Sequence, residues 1–313
     1  MKTFIRVIEV WVPSNDRSTL EYGGGLYGKA SRFGALSRSF CFGRGEGLPG
    51  QAWEKGHPIV LTAFDGSYFQ RTSAAQAEGL TSAVAVPIFA GDFLTSVLVL
   101  ICGDDVDHVG AIELWHNDPV QSPDMQLVDG YYGGTAEAFE FISRRTSFRR
   151  GTGLPGWCWE SGAPVFMEDL GKSGRFLRAE TATKVGINRG YAIPCPTRRN
   201  ETYVLSFLSA LGTPIARRFE VWIPDEEHTA LRRVSGFCEV DGLLGEGRDF
   251  PALEMGQGAI GKVMLSGIPA LCDAAGQEPA GCGKAAQRAG LQSLVAMPII
   301  RDGRLNAVAA WYF

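Results

Sequence analysis

The chain has 313 residues, with 30 Lys and Arg against 34 Asp and Glu, 45% hydrophobic residues and seven cysteines. A net charge of −4 excludes a strongly basic nucleic-acid surface, and the apolar share excludes a disordered chain. The longest apolar run, Val97–Cys102, is too short for a membrane span, Met1–Val12 lacks the apolar core of a secretion signal, and the length suits two or three domains.

From the N-terminus, Arg6–Val12 is rich in β-branched residues and predicts a strand. Pro13–Asp16 predicts a turn and Thr19–Tyr22 a return strand. A weak, glycine-rich helical region is expected to follow through Phe33, Leu36 and Phe40. Gly43–Gly47 reads as a tight turn into a helix over Pro49–Lys55, because proline suits a first helical turn and Gly56 a stop. Ile59–Leu61 is a short strand, Thr62–Thr72 a loop, and the stretch through Ala77 a short helix. Val84–Phe89 and Ser96–Cys102, joined at Gly91 and Asp92, have the pattern of a hairpin.

Further along, the chain repeats these elements. RGEGLPGQAWEKGHP at Arg44–Pro58 returns as RGTGLPGWCWESGAP at Arg150–Pro164, with ten of fifteen positions identical. A more distant copy, MGQGAIGKVMLSGIP, lies at Met255–Pro269. A second block reads GLTSAVAVP at Gly79–Pro87, GINRGYAIP at Gly186–Pro194 and GLQSLVAMP at Gly290–Pro298. A third is a Glu-x-Trp strand at Glu9–Trp11, Glu113–Trp115 and Glu220–Trp222, with the glutamates 104 and 107 residues apart. Three blocks in one order, three times, predict a tandem array of three homologous domains, 1–106, 107–215 and 216–313. Each is expected to be α+β, an antiparallel sheet with helices and loops on one face.

These blocks resemble the GAF domain family. The residues that carry the resemblance are Gly45–Gly50, Gly56–Pro58, Asp65, Phe69, Gly79–Pro87 and Val97–Leu100 in the first copy. In the second they are Gly151–Gly156, Gly162–Pro164, Asp169, Arg175, Phe176, Gly186–Pro194 and Val204–Leu208. In the third they are Gly256–Gly261, Gly267–Pro269, Asp273, Gly290–Pro298 and Val308–Trp311. The resemblance implies a small-molecule pocket under helices and loops, in domains that sense ligands, dimerise or both. That pocket would be lined by Asp65, Tyr68, Phe69 and Ser82 in the first copy and by Asp169, Arg175, Phe176 and Arg189 in the second. An aromatic wall with one or two polar groups suits a small planar ligand, the alternative being that the aromatics only pack their own loop. Ala280 stands where Phe69 and Phe176 do, so the third pocket is expected to be altered or filled.

The sequence departs from the family in leaving little room for the flanking helices, which are expected to be reduced or absent. Eight residues separate Cys102 from Ala111, and two follow Trp311. The sheet faces those helices would cover must be met by the other repeats or by a partner. Trp11, Trp115 and Trp222 are candidates either for a partner interface or for core packing.

Catalytic signatures are sparse. The glycine turns lack the Lys-Ser/Thr of a phosphate loop, and His57, His108, His116 and His228 have no metal-ligand spacing. Asp104–His108 reads as a solvated acidic turn. Cys272 and Cys282 bring to mind the free methionine-R-sulfoxide reductases of the same family, but the turn positions hold Leu48, Leu154 and Ala259 rather than a cysteine. The bilin-attachment and cyclic-nucleotide signatures are missing as well. The cysteines read as reduced thiols in a cytoplasmic protein. The expectation is a non-catalytic triple-GAF protein, a small-molecule sensor or regulatory module signalling through a protein partner or homo-oligomer. No nucleic acid, membrane insertion or metal is expected, and the cofactor is left open. The alternative is a scaffold docking through uncovered sheet faces, with a thiol-based methionine sulfoxide reductase-like enzyme as a minor alternative.

Overall fold

The computed structural model describes residues 3–103, 109–135, 137–197, 201–245 and 250–313; the acidic cluster 104–108, with His108, lies outside them. Among the described residues three antiparallel sheets form, each with the same strand order. The first contains β1 (Ile5–Pro13), β2 (Thr19–Leu26), β3 (Cys41–Gly43), β4 (Ile59–Leu61), β5 (Ser82–Ala90) and β6 (Phe93–Cys102), ordered β3-β2-β1-β6-β5-β4. The second contains β7 (Gly110–Asn117), β8 (Met125–Tyr131), β9 (Ser147–Phe148), β10 (Val165–Met167), β11 (Arg189–Pro196) and β12 (Thr202–Ser209), ordered β9-β8-β7-β12-β11-β10. The third runs β15-β14-β13-β19-β18-β17. Its strands are β13 (Arg218–Pro224), β14 (Ala230–Cys238), β15 (Gly242–Leu244), β17 (Ala270–Cys272), β18 (Leu294–Arg301) and β19 (Arg304–Tyr312), with β16 (Leu253–Glu254) paired to β14.

The helices recur with the sheets. The first set is α1 (Ser31–Ser37), α2 (Gly47–Lys55) and α3 (Thr72–Ala77), and the second is α4 (Glu137–Arg144), α5 (Gly153–Ser161) and α6 (Ala179–Lys184). The third has α7 (Gly258–Ser266) and α8 (Cys282–Arg288). Helices α2, α5 and α7 each end on a left-handed glycine, Gly56, Gly162 and Gly267, as the sequence predicts. A second glycine in each has a steric purpose. A Cβ on Gly50, Gly156 or Gly261 would drive into the carbonyl oxygen of Gly43, Arg149 or Glu254, so the turn can fold tightly onto the helix only without a side chain.

Two expectations change. Gly23–Gly25 continue β2 rather than opening a helical region, and α1 stops before Phe40. Pairing with β1 overrides the weak strand propensity of glycine, and the missing side chain is used. A Cβ on Gly25 would lie 2.6 Å from the Tyr27 ring. The central sheet faces are buried within the chain, in line with the first of the two coverings expected from the sequence. Ile8, Val10, Leu98 and Leu100, opposite the Glu9 face, are buried, as are Ile112, Leu114, Leu205 and Phe207 in the second sheet and Phe219, Val221 and Trp311 in the third. The chain itself removes these residues of the central strands from solvent.

Contacts divide the chain into two compact units, Met1–Pro87 with Ser96–Ile215 and Ile88–Thr95 with Ala216–Phe313. The first holds the first two sheets. The second holds the third sheet and the tip of the β5–β6 hairpin.

Candidate functional site: a buried carboxylate in each sheet

Each Glu-x-Trp strand places its glutamate and tryptophan on the same face, because residues two apart on a strand point the same way. A register shift interrupts the neighbouring ladder just there in all three sheets, at Val10/Trp11, Leu114/Trp115 and Val221/Trp222. Each glutamate faces a glycine across the strand pair, Gly25, Gly130 or Gly236. That glycine leaves room beside the carboxylate, and Glu9, Glu113 and Glu220 are all wholly buried.

A buried carboxylate must be paired and hydrogen-bonded. Glu9 accepts from Trp11 Nε1 at 3.1 Å, from the Tyr27 hydroxyl at 3.1 Å, and from both terminal nitrogens of Arg71 at 2.6 and 2.9 Å. Arg71 comes from the loop before α3 and also donates to Ser37 Oγ. Its guanidinium lies 4.6 Å from the Phe33 ring centroid and 5.3 Å from that of Phe69. The second sheet repeats the arrangement. Glu113 accepts from Trp115 at 3.1 Å, from Tyr132 at 3.1 Å and from Arg178 Nη2 at 2.8 Å, while Arg178 Nη1 reaches both Glu113 and Ser143. The Phe176 ring lies 5.0 Å from the Arg178 guanidinium. Burial, and then the adjacent glutamate, push the phenols of Tyr27 and Tyr132 far up, so both stay protonated donors.

The third sheet solves the same problem with other residues. In its repeat, Cys238 stands where Tyr27 and Tyr132 do, and Cys282 where Arg71 and Arg178 do. Glu220 keeps its tryptophan, Trp222, at 3.1 Å. Its phenol comes from Tyr312 on β19 at 2.9 Å. Its guanidinium comes from Arg218, two residues before it, through Nε at 3.0 Å and Nη2 at 2.6 Å, with Arg233 of β14 adding a bond at 3.2 Å. Burial, and then Glu220, push the Cys282 thiol up to about 12.

The sequence-predicted site residues divide accordingly. Phe69 and Phe176 are brought together with the loop arginines. Ser82 is buried in β5 and its hydroxyl has no hydrogen-bond partner among the described residues. Asp65 accepts from Gln76, and half-exposed Tyr68 lies in the field of Asp129. Asp169 caps its own turn and pairs with Lys172, Arg175 lies over Trp157, and Arg189 donates to the Glu168 carbonyl. These last five do not converge on one cavity. Trp11, Trp115 and Trp222 are corrected from a partner surface to the interior, since each is wholly buried and bound to its glutamate. Sequence reasoning missed Arg71 and Arg178. Their signal was an arginine eight residues before the glycine of the second repeated block in two copies.

Cavities lie elsewhere. Within the first unit, Arg44, Trp53, Lys55 and His57 beside α2 and Glu201 and Tyr203 of the second repeat surround about 380 Å3. The His57 and Tyr203 rings stack at 4.8 Å and 7°, and His116 stacks on Tyr203 at 4.3 Å. His116 Nε2 lies 3.2 Å from Glu201 Oε2. Within the second unit, about 300 Å3 is lined by His228, Met255, Met264, Arg304 and Leu305. Among the described residues no group of three or more His, Cys, Asp or Glu side chains is placed to hold a metal ion, and no helix is long and apolar enough to cross a membrane.

Neither a protein-family model nor a curated protein matches the chain. Solved structures similar to it include GAF domains. One is the GAF domain of A. aeolicus NlH2 in an inactive state, at 20% identity over 32% of this chain and 59% of that one, with a TM-score of 0.26. Another is the second GAF domain of DevS from Mycobacterium smegmatis, at 22% identity over 33% and 64%, with a TM-score of 0.25. A third is the free methionine-R-sulfoxide reductase from Neisseria meningitidis in complex with its substrate, at 19% identity over 31% and 52%, with a TM-score of 0.25. The chain thus matches a little over half the length of these structures, and the likeness concerns the fold alone.

Proposed function

We propose that the protein is a non-catalytic binding protein, built of three GAF-like modules at 1–106, 107–215 and 216–313, that responds to a small molecule and passes the response to a protein partner. The observation that carries this reading is where space remains. The loop arginines and their aromatic cages occupy the sheet interiors of the first two modules, whereas a ring-walled cavity lies between those modules. A ligand there would touch both modules, and its presence would be felt in how they meet. Of the two cysteines that suggest a reductase, Cys282 is buried with its thiol pushed up to about 12 and part-buried Cys272 is also pushed up by burial, which supports a non-catalytic reading. The test is native mass spectrometry of the chain purified without denaturation, alongside isolation of its complexes. The expected outcome is a non-covalently retained small molecule or a defined partner, lost on Tyr203→Ala. Free chain without either, together with turnover of methionine sulfoxide, would sink the reading.

A further inference from the structure

We infer that the cavity between the first two modules is a binding site for an aromatic amino acid or a planar zwitterion of that size. The inference rests on the proposed binding function and deepens it by naming the ligand chemistry. Three features of the lining carry it. First, its wall is aromatic: His57 stacks on Tyr203, and half-buried Trp53 adds an indole that makes no ring contact or hydrogen bond among the described residues. Such a wall takes a flat ring. Second, three charged side chains of the lining have no ion pair among the described residues, the Arg44 guanidinium, the Lys55 ammonium and the Glu54 carboxylate. The fourth, Glu201, faces His116 at 3.2 Å. Cationic groups and a carboxylate beside an aromatic wall match a molecule with a carboxylate, an ammonium and a ring. Third, His57 Nδ1 donates to the Pro58 carbonyl at 2.8 Å, while Nε2 of this cavity-lining ring has no hydrogen-bond partner among the described residues.

The third repeat supports the assignment by contrast. Met255 and Met264 occupy the positions of Arg44 and Trp53, so the related cavity of the second unit has thioethers in place of the cation and the indole. Its lining keeps a cation in Arg304 but has no carboxylate to meet an ammonium and no indole.

The experiment is titration of the full chain with L-tryptophan, followed by calorimetry and saturation-transfer NMR. Indole and indole-3-propionate serve as probes lacking both charges or only the ammonium. L-Tryptophan is expected to bind at least tenfold more tightly than either. Arg44→Gln and Glu54→Gln, both exposed positions, are each expected to weaken it at least tenfold, while Arg150→Gln, the equivalent position of the second repeat, leaves it unchanged. Absence of binding by L-tryptophan, L-tyrosine and L-phenylalanine at millimolar concentration would overturn the site, as would binding indifferent to Arg44→Gln and Glu54→Gln. Such a failure leaves the binding function standing if the chain still retains another molecule or its partner. Consumption of a bound probe would overturn the non-catalytic reading and uphold the site.

Discussion

In the first two sheets, the arginine that neutralises the buried glutamate arrives from a loop 62 and 65 residues further along the chain. In the third sheet it stands two residues from the glutamate on the same strand. The phenol changes sides as well. Tyr27 and Tyr132 follow the strand on one flank of the glutamate, while Tyr312 belongs to the strand on the other. Two cysteines occupy the vacated positions. What is preserved among the repeats is therefore the electrostatic requirement, one buried carboxylate with a guanidinium, an indole and a phenol, rather than the residues that meet it. The difference also has a consequence for the loops. In the first two repeats the ion pair ties the loop to the sheet, whereas in the third the loop carries only a thiol there.

The largest expected effect separates the two designs. Arg71→Met or Arg178→Met leaves a buried carboxylate without its cation and is expected to cost about 3–5 kcal/mol in urea unfolding. The paired replacement Glu9→Leu with Arg71→Met should recover most of that loss, because two apolar side chains replace two charges. Arg233→Met in the third sheet leaves Glu220 with Arg218, Trp222 and Tyr312 and should cost only about 1.5–3 kcal/mol, the range of a hydrogen bond to a charged group. Equal losses from Arg71→Met and Arg233→Met would break the comparison.

A second set of changes tests what the repeats share. Gly50→Ala, Gly156→Ala and Gly261→Ala each force a Cβ into a backbone carbonyl and are expected to destabilise by roughly 2–4 kcal/mol, to a similar extent in all three. Next come Tyr27→Phe, Tyr132→Phe and Tyr312→Phe. Each removes one donor from a buried carboxylate, at about 1.5–3 kcal/mol. A neutral Tyr312→Phe would show that the third phenol is a bystander.

The smallest effect concerns Asp129, which burial holds above the usual carboxylate range although the Gly130 N–H, and then Arg144 and Lys55, partly oppose the shift. A carboxyl with a raised folded pKa stabilises the protein below its unfolded value, and that contribution is lost as pH rises through the folded value. Asp129→Asn should therefore give a small gain in stability above that window and none below it, read from thermal unfolding across pH.

Much of the fold was legible in the repeated blocks. Glycine at the helix stops and beneath the turns is dictated by local backbone geometry and by steric limits a few residues away. The span of α2, the strand at Ile59–Leu61 and the β5–β6 hairpin follow from the same short-range rules. The strand role of Gly23–Gly25 was not legible, because it depends on a neighbour's pairing and on the Tyr27 ring that needs the space. The candidate site was half legible. Phe69 and Phe176 mark the right loops, but the arginines beside them carry no local pattern that separates a buried cation from a surface one.

From residue order alone come the threefold module, the Glu-x-Trp strands and the turns between them, since each depends on contacts along a short stretch of chain. Only the tertiary structure decides which cation meets which glutamate, that the tryptophans face inward, and where the cavities lie. Those outcomes are set by burial, and burial is a property of chain segments that meet across 62, 65 and 92 residues of sequence.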